Sequence, residues 1–208
     1  MGRNQEQNAS MRTERKEKIL VEALKQFSTY GLAATKIKDI ATAAGMSQGL
    51  MYHYYNSKEK IYVELIENAL DKLNSAVFSL QAMPLPPHEK ISLAINEMLK
   101  TIASSDAFVQ TSCLISQTTN LRAIPEETKK ILETKRAIPY QELAKIMVAG
   151  QKAGTIIQAD PEELALIFWT TINGLAIYRA NHPASLVVKN TQLIINMFLE
   201  DENNGSKM

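Results

Sequence analysis

Residues 35–58 read TKIKDIATAAGMSQGLMYHYYNSK and carry the clearest structural pattern of the chain. Before Gly45, apolar residues recur with the three- to four-residue spacing of one helix face, and Thr35 is placed to cap that helix. Ser47 is placed to cap a second, shorter helix that is predicted to run to about Tyr55. Two short helices joined by a tight glycine turn have the layout of a helix-turn-helix.

Helical patterns continue in both directions from this stretch. Upstream, residues 13–30 carry an apolar stripe, with Thr13 as the predicted cap and Gly31 as the left-handed end. Downstream, a helix from Lys58 to about Ser79 ends before consecutive prolines at 84–87. Further helices are predicted at about 88–104, 107–120, 126–151 (kinked or divided at Pro139), 161–181 (capped by Asp160) and 185–201. We therefore predict an all-α fold of about nine helices without a sheet.

Composition indicates a soluble chain. The 208 residues are 45% hydrophobic and 22% charged, and they include no apolar run of the roughly 20 residues that a membrane span needs. The first residues lack the apolar core of a signal peptide, and the single cysteine, Cys113, suits a reducing compartment. We expect a cytoplasmic protein with no membrane partner.

Charge is unevenly distributed along the chain. Residues 1–60 hold 10 Lys/Arg and 6 Asp/Glu, a net charge of +4, whereas the remainder holds 13 and 16, a net charge of −3. A basic first quarter on a mildly acidic body indicates that the N-terminal part meets a polyanion.

The second helix of a helix-turn-helix enters the DNA major groove with its N-terminal residues. Gln48 offers an amide to an adenine edge, Gly49 allows close backbone approach, and Leu50 suits a thymine methyl group. Helix N-termini at Thr35 and Lys58 favour phosphate. The predicted DNA contacts are Thr35, Lys36, Lys38, Gln48, Gly49, Leu50, Tyr52, His53, Tyr54 and Lys58.

This region resembles the TetR family of transcriptional repressors. The resemblance rests on Thr35, Ile40-Ala41, Ala44-Gly45-Met46-Ser47, Gly49, Tyr52, Tyr55 and Ser57-Lys58-Glu59, after a helix that contains Ile19, Ala23 and Phe27. It implies DNA contacts at Thr35, Gln48, Gly49, Tyr52, His53, Tyr54 and Lys58, and a core position for Tyr55. Leu50 departs from the small or polar residue that is more common there, which leaves the base preference open.

The resemblance also implies a division of the chain and a mode of action. Residues 1–57 would form the DNA-binding domain, with 1–11 flexible, and residues 58–208 an effector-binding and dimerisation domain, with 202–208 flexible. A homodimer would bind a palindromic double-stranded DNA operator, repress transcription, and leave the DNA when a small, largely apolar effector binds. The last two helices would pair across a two-fold axis.

Candidate residues for the body follow from apolar helices that carry isolated polar groups. The effector-binding candidates are Phe108, Cys113, Gln117, Tyr140, Met147, Trp169, Asn173 and Tyr178. The dimer-interface candidates are Leu164, Phe168, Thr171, Gly174, Leu175, Leu193, Ile194, Met197 and Phe198. Burial within a single chain is the competing interpretation for each of them. Gly174 lies inside an apolar helix, which predicts close packing there.

Two other classes of protein are alternatives to a DNA-binding regulator. A hydrolase using Cys113 or a serine would need a histidine base and an orienting group, and the sequence offers no such framework. A helical small-molecule carrier or partner-binding module would explain the body but not residues 45–58. His53 has no suitably spaced partner for a metal site. We expect a regulator that is not an enzyme and holds no metal or cofactor.

Overall fold

The computed structural model describes residues 2–120, 124–182, 188 and 190–200. Within these ranges the chain is helical, and the predicted all-α class is confirmed. An isolated antiparallel bridge between Ile156 and Leu199 is the one β-type pairing in the described part. The helices are α1 (Gly2–Ala34), α2 (Ile37–Ala43), α3 (Gln48–Tyr52), α4 (Lys58–Ala82), α5 (Pro87–Ser104), α6 (Asp106–Asn120), α7 (Glu126–Lys135), α8 (Ile138–Lys152), α9 (Pro161–Asn181) and α10 (Gln192–Ile195).

Local sequence signals place several helix ends correctly. The hydroxyl of Ser47 accepts a hydrogen bond from the Leu50 N–H, and the carboxylate of Asp160 accepts two from the first turn of α9. Gly45 closes α2 with a φ of 68°, a value that side-chain-bearing residues rarely adopt. The predicted break at Pro139 is also confirmed, because α7 and α8 are separate helices.

Two predicted helix boundaries are wrong. Thr13 does not cap α1: its hydroxyl donates to the Ala9 carbonyl from inside a helix that begins at Gly2, so residues 2–11 are helical. The helix predicted over 185–201 is reduced, among the described residues, to the single turn of α10. After α10 the backbone forms a strand-like hydrogen bond in place of helical ones, because the Ile157 N–H donates to the Phe198 carbonyl. Residues 183–187, 189 and 201 of that prediction, and the flexible segment 202–208, lie outside the described residues.

The described residues form two compact units. The first comprises the chain up to Ala69 together with Gln110–Ile131, and the second comprises Leu70–Val109 and the residues from Leu132 onward. The predicted domain boundary at 57/58 does not coincide with this division. No helix in the described ranges is long and apolar enough to cross a membrane.

The first unit has a core built from α1, α2, α3 and α4. Phe27 of α1 is fully buried and meets the ring of Tyr62 edge to face, with 5.3 Å between centroids. Tyr62 donates to the hydroxyl of Thr118, which itself donates to the Leu114 carbonyl. Ile40 of α2 completes this core. The helix-turn-helix is therefore held by side chains from outside it.

The second unit has a larger core, to which α5, α8, α9 and α10 contribute. Phe168 of α9 lies between the rings of Trp169 and Phe198, at centroid distances of 5.2 and 5.9 Å. The indole N–H of Trp169 donates to the Pro139 carbonyl, so its one polar atom is satisfied.

Candidate functional site

The turn between α2 and α3 has the geometry of a helix-turn-helix. The Met46 N–H donates to the Ala41 carbonyl, which closes the turn at Gly45. Ala41 and Met51 are buried between the two helices, and this packing fixes the face that α3 turns outward. Four of the predicted contact residues are exposed on that face or at its end: Gln48, Gly49, Tyr52 and His53.

This outward face is polar and sterically open. The Gln48 amide lies 3.5 Å from the Tyr52 hydroxyl, so either group can turn to an external partner at little cost. No heavy atom lies within 4 Å of a Cβ added at Gly49, which leaves the backbone accessible. Leu50 and Tyr54 are half-buried beside it.

Two lysines add charge beside this face. Lys36 precedes α2 and Lys38 lies in its first turn, and both side chains are exposed. Neither forms an ion pair within the described residues. Their charge is therefore available to a polyanion.

Two of the predicted contacts have internal partners instead. Thr35 is 2% exposed and its hydroxyl donates to the Gly31 carbonyl at 2.8 Å, so its side chain is engaged within the chain. It does not cap α2, whose N-cap position is Lys36. The Lys58 ammonium donates to the carbonyls of Leu32, Ala33 and Thr35 at 2.7, 3.1 and 2.8 Å. Both sets of hydrogen bonds have one cause: the chain leaves α1 here, and its free carbonyls need donors.

A network of three side chains holds the end of α3. The Tyr55 hydroxyl donates to Glu64 of α4 at 3.0 Å, and the other carboxylate oxygen of Glu64 pairs with Lys16 of α1 at 2.8 Å. Burial and the neighbouring carboxylate raise the pKa of Tyr55 far above its ordinary value, so this phenol keeps its proton. The core position that the resemblance implied for Tyr55 agrees with its 6% exposure.

Sequence reasoning missed two arginines of this unit. Arg12 and Arg15 of α1 line a surface pocket of about 350 Å³ together with Leu50, His53 and Tyr54 of the predicted contact set. Arg12 precedes the predicted start of the helix at Thr13, and Arg15 lies within that helix but outside residues 35–58, from which all the DNA contacts were predicted. The positive charge of the first 60 residues was the signal that could have found them.

An apolar cavity of about 300 Å³ lies in the second unit. Helices α4, α5, α8 and α9 all contribute to its wall, through residues such as Val77, Met98, Leu143 and Trp169. Glu97 is the one charged residue of the wall, and its side chain is largely exposed to solvent. The size and lining suit a small apolar molecule.

Residues 19–65 match the family model described as "Bacterial regulatory proteins, tetR family". The HTH-type transcriptional repressor KstR2 of Mycolicibacterium smegmatis is 33% identical over 78 residues, which are 38% of this chain and 38% of that protein. An uncharacterized HTH-type transcriptional regulator of Bacillus subtilis, YhgD, is 28% identical over 160 residues, 76% of this chain and 80% of that protein. Residues 19–65 are thus similar to the regulatory proteins of the tetR family.

The similarity of the fold to a solved regulator reaches beyond the matched residues. The crystal structure of the MbdR regulator from Azoarcus sp. CIB superimposes with a TM-score of 0.74 and 25% identity, covering 88% of this chain and 96% of that one. The family consists of regulatory proteins, which argues against the hydrolase alternative. The Cys113 thiol has its pKa raised by burial, the opposite of what a nucleophile needs.

The structure does not bring the predicted effector residues together in one place. Trp169 lines the apolar cavity, Tyr140 lies beside it with ring centroids 6.1 Å apart, and Met147 is in the core. Phe108 packs against that core, whereas Cys113 belongs to the first unit. The remaining three point elsewhere: Gln117 donates to the Ser28 carbonyl, and Asn173 and Tyr178 lie on the exposed face of α9.

The predicted dimer residues fall into a buried group and a group that is half-buried or exposed. Four are buried in the core of the single chain and cannot meet a partner: Leu164, Phe168, Ile194 and Phe198. Four are half-buried or exposed and stay candidates, together with the exposed Gly174: Thr171, Leu175, Leu193 and Met197. Among the described residues, no atom beyond the adjoining residues and the backbone of α9 lies within 4 Å of a Cβ added at Gly174, so none of them supplies the expected close packing.

Proposed function

We propose that this chain is a cytoplasmic transcriptional repressor of the tetR family that binds an operator as a homodimer and is released by a small apolar effector. The observation that carries the proposal is the outward face of α3, where Gln48, Gly49, Tyr52 and His53 are exposed while Ala41 and Met51 are buried behind them. The repressor assignment is supported by the name of the KstR2 relative. The chain spans 38% of that relative's length.

The proposed DNA contacts are a corrected set. Gln48, Gly49 and Leu50 would read base edges, because they occupy the N-terminal half of α3. Tyr52, His53 and Tyr54 would contact phosphates or bases, and the exposed lysines 36 and 38 would add salt-sensitive affinity. Thr35 and Lys58 would act by shaping the unit rather than by touching DNA through their side chains.

The proposed dimer face is the exposed side of α9. Leu166, Ile167 and Tyr178 are 52%, 41% and 47% exposed, although they are large and apolar. Together with Gly174 they follow helical spacing along one side, and a glycine without neighbours lets a second helix approach closely. A two-fold dimer would then present two copies of α3 to successive major grooves, about 34 Å apart.

The proposed effector site is the apolar cavity of the second unit. Leu73, Val77 and Leu80 of its wall belong to α4, the helix that begins at Lys58 beside the helix-turn-helix. An effector that rearranges this wall would act on the same helix whose first residue clamps the end of α1. Thermodynamic linkage then requires DNA to weaken effector binding by the same factor.

The test is an anisotropy titration with DNA flanking the chain's own gene and with DNA from a random-site selection. We expect sequence-specific binding that weakens as salt rises. Gln48→Ala should relax the preference at one position of the site, whereas Tyr52→Phe should weaken binding to all sequences alike. No specific binding at any moderate salt would overturn the regulator and favour the carrier alternative.

The effector half of the proposal has its own measurement. Apolar compounds are screened by the melting temperature, and those that raise it are added to the DNA titration. Filling the cavity with Ala94→Leu should abolish release by an active compound and keep DNA binding, whereas Ala144→Leu, outside the cavity, should change neither. Release that survives Ala94→Leu would place the effector elsewhere.

A further inference from the structure

The first part of α1 has no packed face. Residues 9–18 are exposed at every position, so nearly three helical turns bury no side chain. Of these, Lys16 is tied to the core by its ion pair with Glu64 and its place over the Tyr55 ring. Helices in water usually owe their stability to one buried face, and short exposed ones are marginal. The local support here is small: Ser10 donates to the Glu14 carboxylate, and Thr13 donates to the Ala9 carbonyl. A helix of this kind is explained by a partner that covers it.

The chemistry of this segment is that of an anion-binding surface. Arg12 and Arg15 are three residues apart and so lie on the same side of α1. Within the described residues neither forms an ion pair, whereas Lys16 on the next position is neutralised by Glu64. Two free guanidinium groups side by side match the geometry and charge of phosphate oxygens.

The same two arginines adjoin the proposed DNA-reading helix. They share a surface pocket of about 350 Å³ with Leu50, His53 and Tyr54. Leu50 and His53 lie within and at the end of α3, which would enter the major groove. A nucleic-acid strand that follows α3 therefore passes the arginine side of α1.

We infer that Arg12 and Arg15 bind the phosphate backbone of the DNA that α3 reads, and that α1 upstream of Lys18 is a second DNA-contacting element. This inference rests on the proposed function and extends its contact surface from the helix-turn-helix to the preceding helix. Phosphate contacts of this kind position the protein and add affinity without reading sequence. The bound backbone supplies the partner that the exposed turns lack within the chain.

The experiment measures binding of the full-length chain and of the Arg12→Gln/Arg15→Gln variant to one selected DNA site across a range of salt concentrations. Loss of two phosphate contacts in each protomer, four in the proposed dimer, should reduce the slope of log affinity against log salt by about 3.6. Affinity should fall alike for the selected site and for random DNA, because no base contact is removed. Far-UV circular dichroism verifies that the variant remains folded.

The matched control is Arg136→Gln/Lys152→Gln, which removes the same charge from exposed positions in the second unit. It should leave the slope unchanged. An unchanged slope in the α1 variant would overturn the inference, and so would an equal decrease in both variants, since that would be a general charge effect. If the parent chain binds no DNA at all, the proposed function fails first and the inference with it.

Discussion

At the scale of single residues, Lys58 has the most consequential position. Its ammonium lies within hydrogen-bonding distance of three carbonyls near the end of α1, those of Leu32, Ala33 and Thr35. These oxygens belong to a helix end, where intrahelical donors run out and the dipole favours a cation. Lys58 thus joins the start of α4 to the chain entering the helix-turn-helix.

We expect Lys58→Met, which keeps the apolar stem and removes the donors, to lower the free energy of unfolding by about 1–3 kcal/mol. Urea denaturation measures the difference. Lys60→Met is the control, because its ion pair with Glu127 is more than half exposed on both sides and should contribute less than about 1 kcal/mol. Equal losses in the two variants would contradict the role of the Lys58 ammonium as a cap.

The sequence could not predict this role of Lys58. Helix caps such as Ser47 and Asp160 are recognisable because their partners are two or three residues away. The carbonyls that bind Lys58 lie 23 to 26 residues upstream, and the same lysine at a helix N-terminus is equally compatible with a phosphate contact. Tertiary hydrogen bonding decided between these interpretations.

At the scale of elements, the end of α8 shows how a close approach constrains the sequence. A Cβ added at Gly150 would clash with Cδ1 of Ile156 and lie 2.5 Å from its Cγ1 and 3.0 Å from its Cβ, and Ile156 is fully buried. Ile156 also pairs with Leu199 across the antiparallel bridge. Gly150 is therefore needed for packing at a position where helix propensity alone would favour alanine.

Gly150→Ala should destabilise the chain by about 1–3 kcal/mol despite the better helix former, since the branched Ile156 side chain and its strand-like backbone have to shift. The midpoint of thermal or urea unfolding reports the effect. Gly49→Ala in α3 has open space around the added methyl group and should be neutral or stabilising by up to about 1 kcal/mol. A Gly150→Ala protein that is more stable than the parent would contradict this, because it would show that Ile156 shifts at little cost.

The element that sequence periodicity misplaced is the last one. Apolar residues at 193, 194, 197 and 198 have helical spacing, and a long helix was expected. The chain instead buries Ile194, Ile195 and Phe198 in the core of the second unit and pairs residues 198–200 with residues 155–157. Non-local pairing of this kind leaves no mark in the local pattern.

At the scale of the whole molecule, the helix-turn-helix and the apolar cavity differ in how well the sequence predicts them. The helix-turn-helix is built from contiguous residues with caps and a glycine turn, so its position was predictable. The cavity is not contiguous: Leu73, Ala94, Leu143 and Phe168 come from four helices spread over about half of the chain. Only Trp169 among the predicted effector residues lines it, because a cavity depends on how helices pack and not on any one of them.

The proposed dimer interface on α9 can be tested by a single charged substitution. If α9 forms a two-fold interface, each substitution enters it twice, and Ile167→Glu would bury two unpaired carboxylates. We expect the dissociation constant of the dimer to rise by at least about a hundredfold, which corresponds to about 2.7 kcal/mol. Analytical ultracentrifugation measures it, and binding to a two-half-site DNA should weaken more than binding to a single half-site.

Val148→Glu is the matched control for this assembly, because Val148 on α8 is 37% exposed against 41% for Ile167. An acidic residue there should leave the dimer intact if α9 alone forms the interface. A parent chain that is monomeric at micromolar concentration, or two variants that remain equally dimeric, would contradict an α9 interface. Loss of the dimer with Val148→Glu only would move the interface to α8, and the exposed apolar side of α9 would then need another partner.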